Sequence, residues 1–532
     1  MHRVATPRWD CLLGSLLHDI FSHLDARDLA VAGASNRHWY RISRTDELWQ
    51  PLFEEKHDLW DCSKLLITEA YFDEYTYFEN QIPTKKTQVV DDFEIELKHV
   101  TFSSNGKYFA VCGANALIWL WRTEPEIEFL TEKDLAKSLQ WVEADTIEFS
   151  PDEAKLLVNG KKTGGRREFS CFSISETGSV RYLCRIMCTP LEYLGCWLDS
   201  RYVLSGEFYQ FGSPTSLGDS ISQLWLCSVP DDIFLNRTGR VCQVLIARHV
   251  SPRFRRILQL ADEARWEQTT LSHKLLELKT RAEIECEDAD KELDSLKKLL
   301  DTESECGECY AHHTLKAQPA DFECHCECHQ PADRLMIYVN GDLCHRLNFK
   351  VISQKMINKA LNFENYTTEK KAAPENETDS LESIMEQIDQ PDYFVELDGS
   401  IQGLSLSTDH RMLEFAVRVV VEDTVGEVVG SQLEHRRVDL GKMIVEKKPV
   451  AGRPISRVTC SSQRIVISTH RRELLLWARD YGAEPVANLV HEHPITCSAV
   501  HPDNSILLAC VGMDLHIWES PLRVKSSSPP CG

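Results

Sequence analysis

The residues best suited to chemistry lie together past the middle of the chain. Cys306-x-x-Cys309 is followed by His312-His313 and then by Cys324-His325-Cys326-Glu327-Cys328-His329. Two thiolates flanking a two-residue turn can share a tetrahedral Zn²⁺, and a second pair about 15 residues later can complete it. Cys306, Cys309, Cys324 and Cys328 make one such set; Cys326 and His329 compete for the second pair. A closed four-ligand site is structural, since catalytic zinc needs an open position with an acid or base beside it. A loop that merely tolerates cysteine is the other reading. The chain has no G-x-S-x-G, no H-E-x-x-H and no G-x-x-x-x-G-K phosphate loop. The expectation is a non-catalytic protein, requiring no cofactor, with structural zinc as the one candidate metal.

Composition narrows the class. At 532 residues the chain has room for two or three domains. No run approaches the roughly 18 apolar residues of a membrane span, and the opening MHRVATPRWD lacks the apolar core of a signal peptide. The 20 cysteines therefore read as intracellular thiols, with the cytoplasm as the expected location and the nucleus as a second one. A formal net charge of −23 disfavours binding to nucleic acid, itself a polyanion. Neither a membrane nor a nucleic acid is expected as a partner.

The cluster must be held by something. Residues 251–304 read as helical: Leu271, Leu275, Leu278 and Ala282 follow helical spacing, and Ala289, Leu293, Leu296 and Leu300 resume it after an acidic run. Residues 251–334 are thus expected to be an inserted helical arm carrying the Cys/His cluster. A polar stretch, 364–390, reads as a mobile loop.

On both sides of the arm the pattern is one of short strands. Val100 and Phe102 alternate with polar residues, Asn105-Gly106 signals a hairpin, and Ile118 to Trp121 make a further strand. The phrase returns at Phe149-Ser150-Pro151-Asp152, Leu406-Ser407-Thr408-Asp409 and Val500-His501-Pro502-Asp503. A late tryptophan recurs at Trp477 and Trp518. Phe102 and Phe149 stand 47 residues apart, near the blade period of a propeller, and Leu406 and Val500 about twice that. One four-stranded blade cannot bury both faces, so blades must stack around a ring. Residues 93–250 and 335–525 are the two expected parts of that ring, leaving 526–532 as a tail.

The start of the chain is different. Leu12, Leu13, Leu16, Leu17, Ile20, Phe21 and Leu24 give a wide apolar helical face. Asp25 stands where a cap would start a second helix, and Trp39, Ile42, Leu48, Trp49, Leu52 and Phe53 complete a head over 8–54. Three short helices cannot hide so many large apolar side chains, so a partner is expected to cover part of them. The connector 55–92 carries Tyr71, Phe72, Tyr75, Tyr77 and Phe78, which are expected to pack the head onto the ring.

The head resembles the F-box. Leu13-Gly14, Leu16-Leu17, Ile20-Phe21, Leu24-Asp25, Arg37-His38-Trp39 and Leu48-Trp49 fall in register with that family's pattern, with Gly14 in place of its proline and Ser35-Asn36 in place of Val-Cys. The strand repeats look like WD repeats whose structural aspartate is replaced by Gly512 and Arg471. Together they resemble the F-box/WD repeat-containing family. The resemblance implies a mainly β fold with a helical head: an N-terminal three-helix F-box, then a WD-repeat β-propeller of seven or eight blades with a helical insertion. It further implies a substrate receptor of a cullin–RING ubiquitin ligase. Leu13, Leu16, Leu17, Ile20, Phe21, Leu24, Trp39, Leu48 and Trp49 would bind a Skp-type adaptor, the ring would hold a substrate protein, and a cullin–RING scaffold would complete the assembly. Relatives also engage the damaged-DNA-binding-type cullin adaptor through Trp-Asp-x-Arg boxes, whose nearest counterparts are Trp121-Arg122 and Trp477-Ala478-Arg479. A WD-repeat scaffold without any ligase connection is the alternative.

Overall fold

The computed structural model describes residues 12–57, 70–165, 167–187, 193–210, 220–230, 243–250, 259–262, 334–340, 345–352, 392–407, 412–422, 428–440, 443–448, 457–460, 465–470, 472–478 and 485–523. The expected helices over 271–300, the Cys/His cluster with Cys306, Cys309, Cys324 and Cys328, and the loop 364–390 lie outside these residues.

The head contains four helices rather than the expected three: α1 (Gly14–Phe21), α2 (Ala26–Gly33), α3 (Arg37–Ile42) and α4 (Asp46–His57). Gly14 opens α1 without a side-chain cap. Asp25 caps α2, its Oδ1 accepting from Asp28 N at 2.7 Å. Asn36 caps α3, accepting from the N–H groups of His38 and Trp39, both at 2.9 Å. Gly33 lets α2 and α3 close up, for a Cβ there would fall 2.2 Å from Ser43 Oγ. Pro51 lies inside α4 without ending it. Leu48, Trp49 and Phe53 hold that helix from the side, all of them buried.

A fifth helix, α5 (Tyr71–Asn80), is the aromatic stretch of the connector. Trp49 sits edge-on to Phe72 at 4.8 Å and to Tyr75 at 5.2 Å, and Phe53 meets Tyr71 and Phe78 at 6.1 Å. Pairs in this geometry add about 0.5–1.5 kcal/mol beyond their area. On its other side α5 reaches the ring: Tyr77 Oη accepts from Asn504 Nδ2 at 2.6 Å. The head and the last two blades share one apolar cluster, which runs from Leu17, Phe21 and Trp49 through Tyr77 and Ile82 to Val500, Leu507 and Trp518.

Among the described residues seven four-stranded antiparallel sheets follow. Six take their strands in chain order, within 97–134, 141–187, 193–250, 259–396, 399–448 and 457–490. The seventh is composite. Its strands Ile495–Val500, Ile506–Val511 and Asp514–Glu519 come from the end of the chain, and its outer strand, Lys85–Val90, comes from just after α5. Lys85 pairs with Glu519 and Val90 with Leu515. Part of the stretch read as a connector therefore closes the ring. Gln259–Asp262, inside the stretch read as helical from 251, is also a strand, pairing with Arg334–Ile337. Its four residues precede the first residue of the helical periodicity, Leu271, so nothing in the spacing required helix there.

Adjacent blades share cores. Phe109, Trp119 and Trp121 of the first pack with Cys497, Ile506 and Cys510 of the closing blade, and Phe169 and Leu183 of the second with Trp197 and Val203 of the third. The recurring phrase is a recurring turn. Ser103, Ser150, Ser407 and His501 each donate their N–H to the carbonyl five residues on, each at 2.9 Å. The fourth residue of the turn has positive φ where described: Gly106 (77°), Glu153 (61°) and Asn504 (64°). Successive turns also touch. His501 Nε2 lies 3.0 Å from Gly106 O, Asn105 N donates to Glu153, and Lys155 Nζ donates to Ser200 O at 2.9 Å. The described cysteines with assigned states are free and buried.

Candidate functional site

The helical face that led the sequence reading divides in two. Leu17 and Phe21 of α1 point inward and are 1% and 2% exposed, as are Leu48 and Trp49 of α4 at 4% and 2%. Leu24 and Trp39 are half-buried. Leu13, Leu16 and Ile20 point the other way and are 70%, 49% and 49% exposed. Three- and four-residue steps put these three on one stripe. The nine residues singled out from the sequence are therefore not one surface. Leu13, Leu16 and Ile20 form an outward apolar stripe. The buried residues, with Leu24 and Trp39 at the margin, are the packing that fixes its position.

Backbone and ring contacts lock that packing. Trp49 Nε1 donates to Ser43 O at 2.6 Å, joining α4 to the end of α3. His38 Nε2 lies 3.0 Å from Leu12 O, which pins the chain entering α1 against α3. Phe21 meets Trp39 edge-on at 5.5 Å. Between α4 and α5, Lys56 pairs with Glu79 and its ammonium lies 4.6 Å from the Tyr75 ring centroid. Burial pulls the Lys56 pKa down and raises that of Tyr75, with Asp25 adding to the second effect.

Sequence reasoning left two exposed apolar residues off the candidate surface: Val31 on α2 (64%) and Tyr40 on α3 (47%). Val31 stands two residues from the buried Leu29, and Tyr40 is next to Trp39, so neither falls a three- or four-residue step from another apolar residue of its helix. The Arg44 guanidinium lies over both the Tyr40 ring (4.0 Å) and the Phe72 ring (3.9 Å), tying the exposed tyrosine back to α5.

The described residues offer nothing resembling catalytic machinery at this surface. The most deeply buried imidazole–carboxylate pair among the described residues is His435 Nε2 with Glu414 Oε2 at 2.6 Å, 5% and 0% exposed, sealed within the fifth blade. No group of three or more metal-ligating side chains occurs among the described residues. An uncovered apolar stripe on a rigidly mounted small helical module is suited to binding another macromolecule.

Comparison with known proteins agrees. Residues 15–55 match the F-box-like family. The head is an F-box-like domain. Over 566 aligned residues, covering 97% of this chain and 95% of the relative, the chain is 22% identical to F-box/WD repeat-containing protein 5 of Mus musculus. It is 24% identical to the Rattus norvegicus protein of that name over 51% of this chain and 47% of the relative. With the Homo sapiens protein the figures are 24%, 48% and 45%. The similarity thus takes in both the head and the ring of this chain and runs along 95% of a distant relative.

The two partial Trp-Arg boxes are placed differently. Trp121 is buried and stacked on Phe109 at 5.0 Å, while Arg122 turns to Glu128 at 3.6 Å. Trp477 is buried too, and Arg479 lies outside the described residues.

Proposed function

We propose that this chain is the substrate-recognition subunit of a cullin–RING ubiquitin ligase. Its F-box-like head docks on a Skp-type adaptor and its ring holds the protein to be modified. The observation that carries the reading is the stripe of Leu13, Leu16 and Ile20, left open by a head whose buried apolar residues, Leu17, Phe21, Leu48 and Trp49 among them, belong to the cluster that holds it to the ring. Each of these side chains is worth roughly 1.5–3 kcal/mol when fully covered, enough together for a specific protein contact. The chain itself performs no transfer chemistry. It supplies proximity, raising the effective concentration of a substrate lysine beside the charged conjugating enzyme. The buried Trp121 and the engaged Arg122 favour the Skp-type adaptor over the damaged-DNA-binding type.

Co-purification tests the proposal. Leu16→Asp with Ile20→Asp should abolish recovery of the adaptor and cullin while the melting of the ring stays unchanged, since both positions face solvent. Recovery of the adaptor at wild-type levels by that variant would leave a WD-repeat scaffold without a ligase connection.

A further inference from the structure

The rim of the ring turned away from the head has an unused corner. In the closing blade Ile495–Val500 runs from this rim to the turn that holds Tyr77. At about 3.3 Å per residue, six residues put the two rims roughly 20 Å apart. Three connections meet at the far end. Val90 pairs with Leu515, so Asp91 leaves the outer strand beside Asp514. Gly512 O accepts from Leu97 N at 3.0 Å, which brings 91–96 against the tip of the last hairpin. A Cβ at Gly512 would lie 3.6 Å from His493 Cβ, so 491–494 meets the same tip.

Met513, at that tip, is 53% exposed, and Val490, at the mouth of the third connection, is 70% exposed. Carboxylates lie on the same connections and hairpin: Asp91, Glu94 and Glu492 are exposed and Asp514 half-buried. Arg472, whose carbonyl accepts from His491 N at 2.8 Å, is an exposed cation beside Val490, one against these four carboxylates, while Lys98 and Lys86 are engaged. Lys98 is held by Glu96 at 3.0 Å and Glu143 at 3.7 Å, and Lys86 lies 6.0 Å from the Trp518 ring. Beneath the corner His491 is 6% exposed, and its Nε2 has no hydrogen-bond partner among the described residues.

We propose that this corner docks an extended lysine- or arginine-rich segment of the substrate protein. Apolar side chains of the segment cover Met513 and Val490 while its cations meet Asp91, Glu94, Glu492 and Asp514. The inference rests on the receptor reading and gives it a substrate class. Met513 suits such a role, because an unbranched thioether adapts to more than one partner shape. The carboxylates repel one another until cations arrive, and a chain of net charge −23 steers cations toward them. A phosphorylated segment would meet the same carboxylates as like charge and be turned away.

The test is fluorescence anisotropy on the full chain, with a labelled peptide of alternating lysine and leucine and its glutamate–leucine counterpart as probes. The lysine peptide should bind, weakening as salt shortens the reach of the carboxylates, and the glutamate peptide should not. Asp91→Lys with Glu492→Lys should weaken lysine-peptide binding by about tenfold or more, as expected when complementary charges become like charges, with melting unchanged. Met513→Ala should weaken it to a smaller, salt-independent extent. Equal affinity for the two peptides, undiminished binding by the charge-reversed chain, or covering of the corner by a second copy in sedimentation would each overturn the proposal. The Leu16→Asp, Ile20→Asp chain should keep the peptide and lose the adaptor. The charge-reversed chain should do the reverse, so failure here is distinguishable from failure of the receptor reading.

Discussion

Leu16 and Leu17 are adjacent in sequence and opposite in consequence. Leu17→Ala should cost about 2–5 kcal/mol of stability, the range for truncating a buried leucine. Leu16→Ala should stay within about 0.5 kcal/mol, as exposed substitutions do; paired denaturant titrations check the contrast. Asn36 was legible only as a departure from the F-box pattern, yet it caps α3, and Asn36→Ala should cost roughly 1 kcal/mol in the same assay. The titratable residues of the ring give a pH profile. Burial, then the neighbouring His516 and Lys86, lower the His491 pKa to about 4. A pKa below the unfolded value of about 6.5 means that the neutral imidazole is the form the fold holds. Stability is then full above that value and is lost as pH falls from about 6.5 toward 4. Burial pushes Asp503 up, but hydrogen bonds from His501 and Ser505 outweigh it and hold the carboxyl near 2, so a second loss follows as pH falls below about 4. Glu148 acts in the opposite direction: burial, opposed by a bond from Trp197, raises it to about 8. Its contribution is full below about 4.5 and fades as pH rises toward 8. Urea midpoints across pH should show both limbs, with Glu148→Gln flattening the alkaline one and His491→Gln the loss between 6.5 and 4.

Among the elements, what could be read in advance was what repeats locally. Helix α1 follows from its apolar spacing and α2 from the Asp25 cap. The ring follows from a turn phrase whose four copies share one backbone hydrogen bond. What stayed hidden depends on partners distant in sequence. Lys85–Val90 is exposed along almost its whole length, so it has no alternation to betray a strand. It is ordered only because Leu515 to Glu519 offer it an edge. Gln259–Asp262 likewise needs Arg334–Ile337. The division of the head stripe into buried and open halves needed α5, whose aromatics fill the inner side. The mount makes its own prediction. Tyr77→Phe removes the acceptor of Asn504 Nδ2, and leaving that buried amide short of a partner should cost about 1–3 kcal/mol. The melting of head and ring should fall together, because one apolar cluster spans both; a separate early transition of the head alone would contradict this.

Head and ring together act as a spacer of fixed length. The exposed stripe of the head is joined to the ring through α5 and the closing strand, which only four residues separate. Inserting a short glycine–serine linker between Ile82 and Lys85 should leave adaptor capture and peptide binding intact while lowering ubiquitin transfer to a bound substrate, since effective concentration falls when a rigid link becomes a flexible one. The composite blade has one more effect, on synthesis. Lys85–Val90 leaves the ribosome first and waits for partners that follow it by roughly 400 residues. A polypeptide cut short anywhere before Ile495 keeps its F-box-like head but has no hairpin to offer the waiting strand. That strand is then left unpaired, open to the edge-to-edge association that bare strand edges invite.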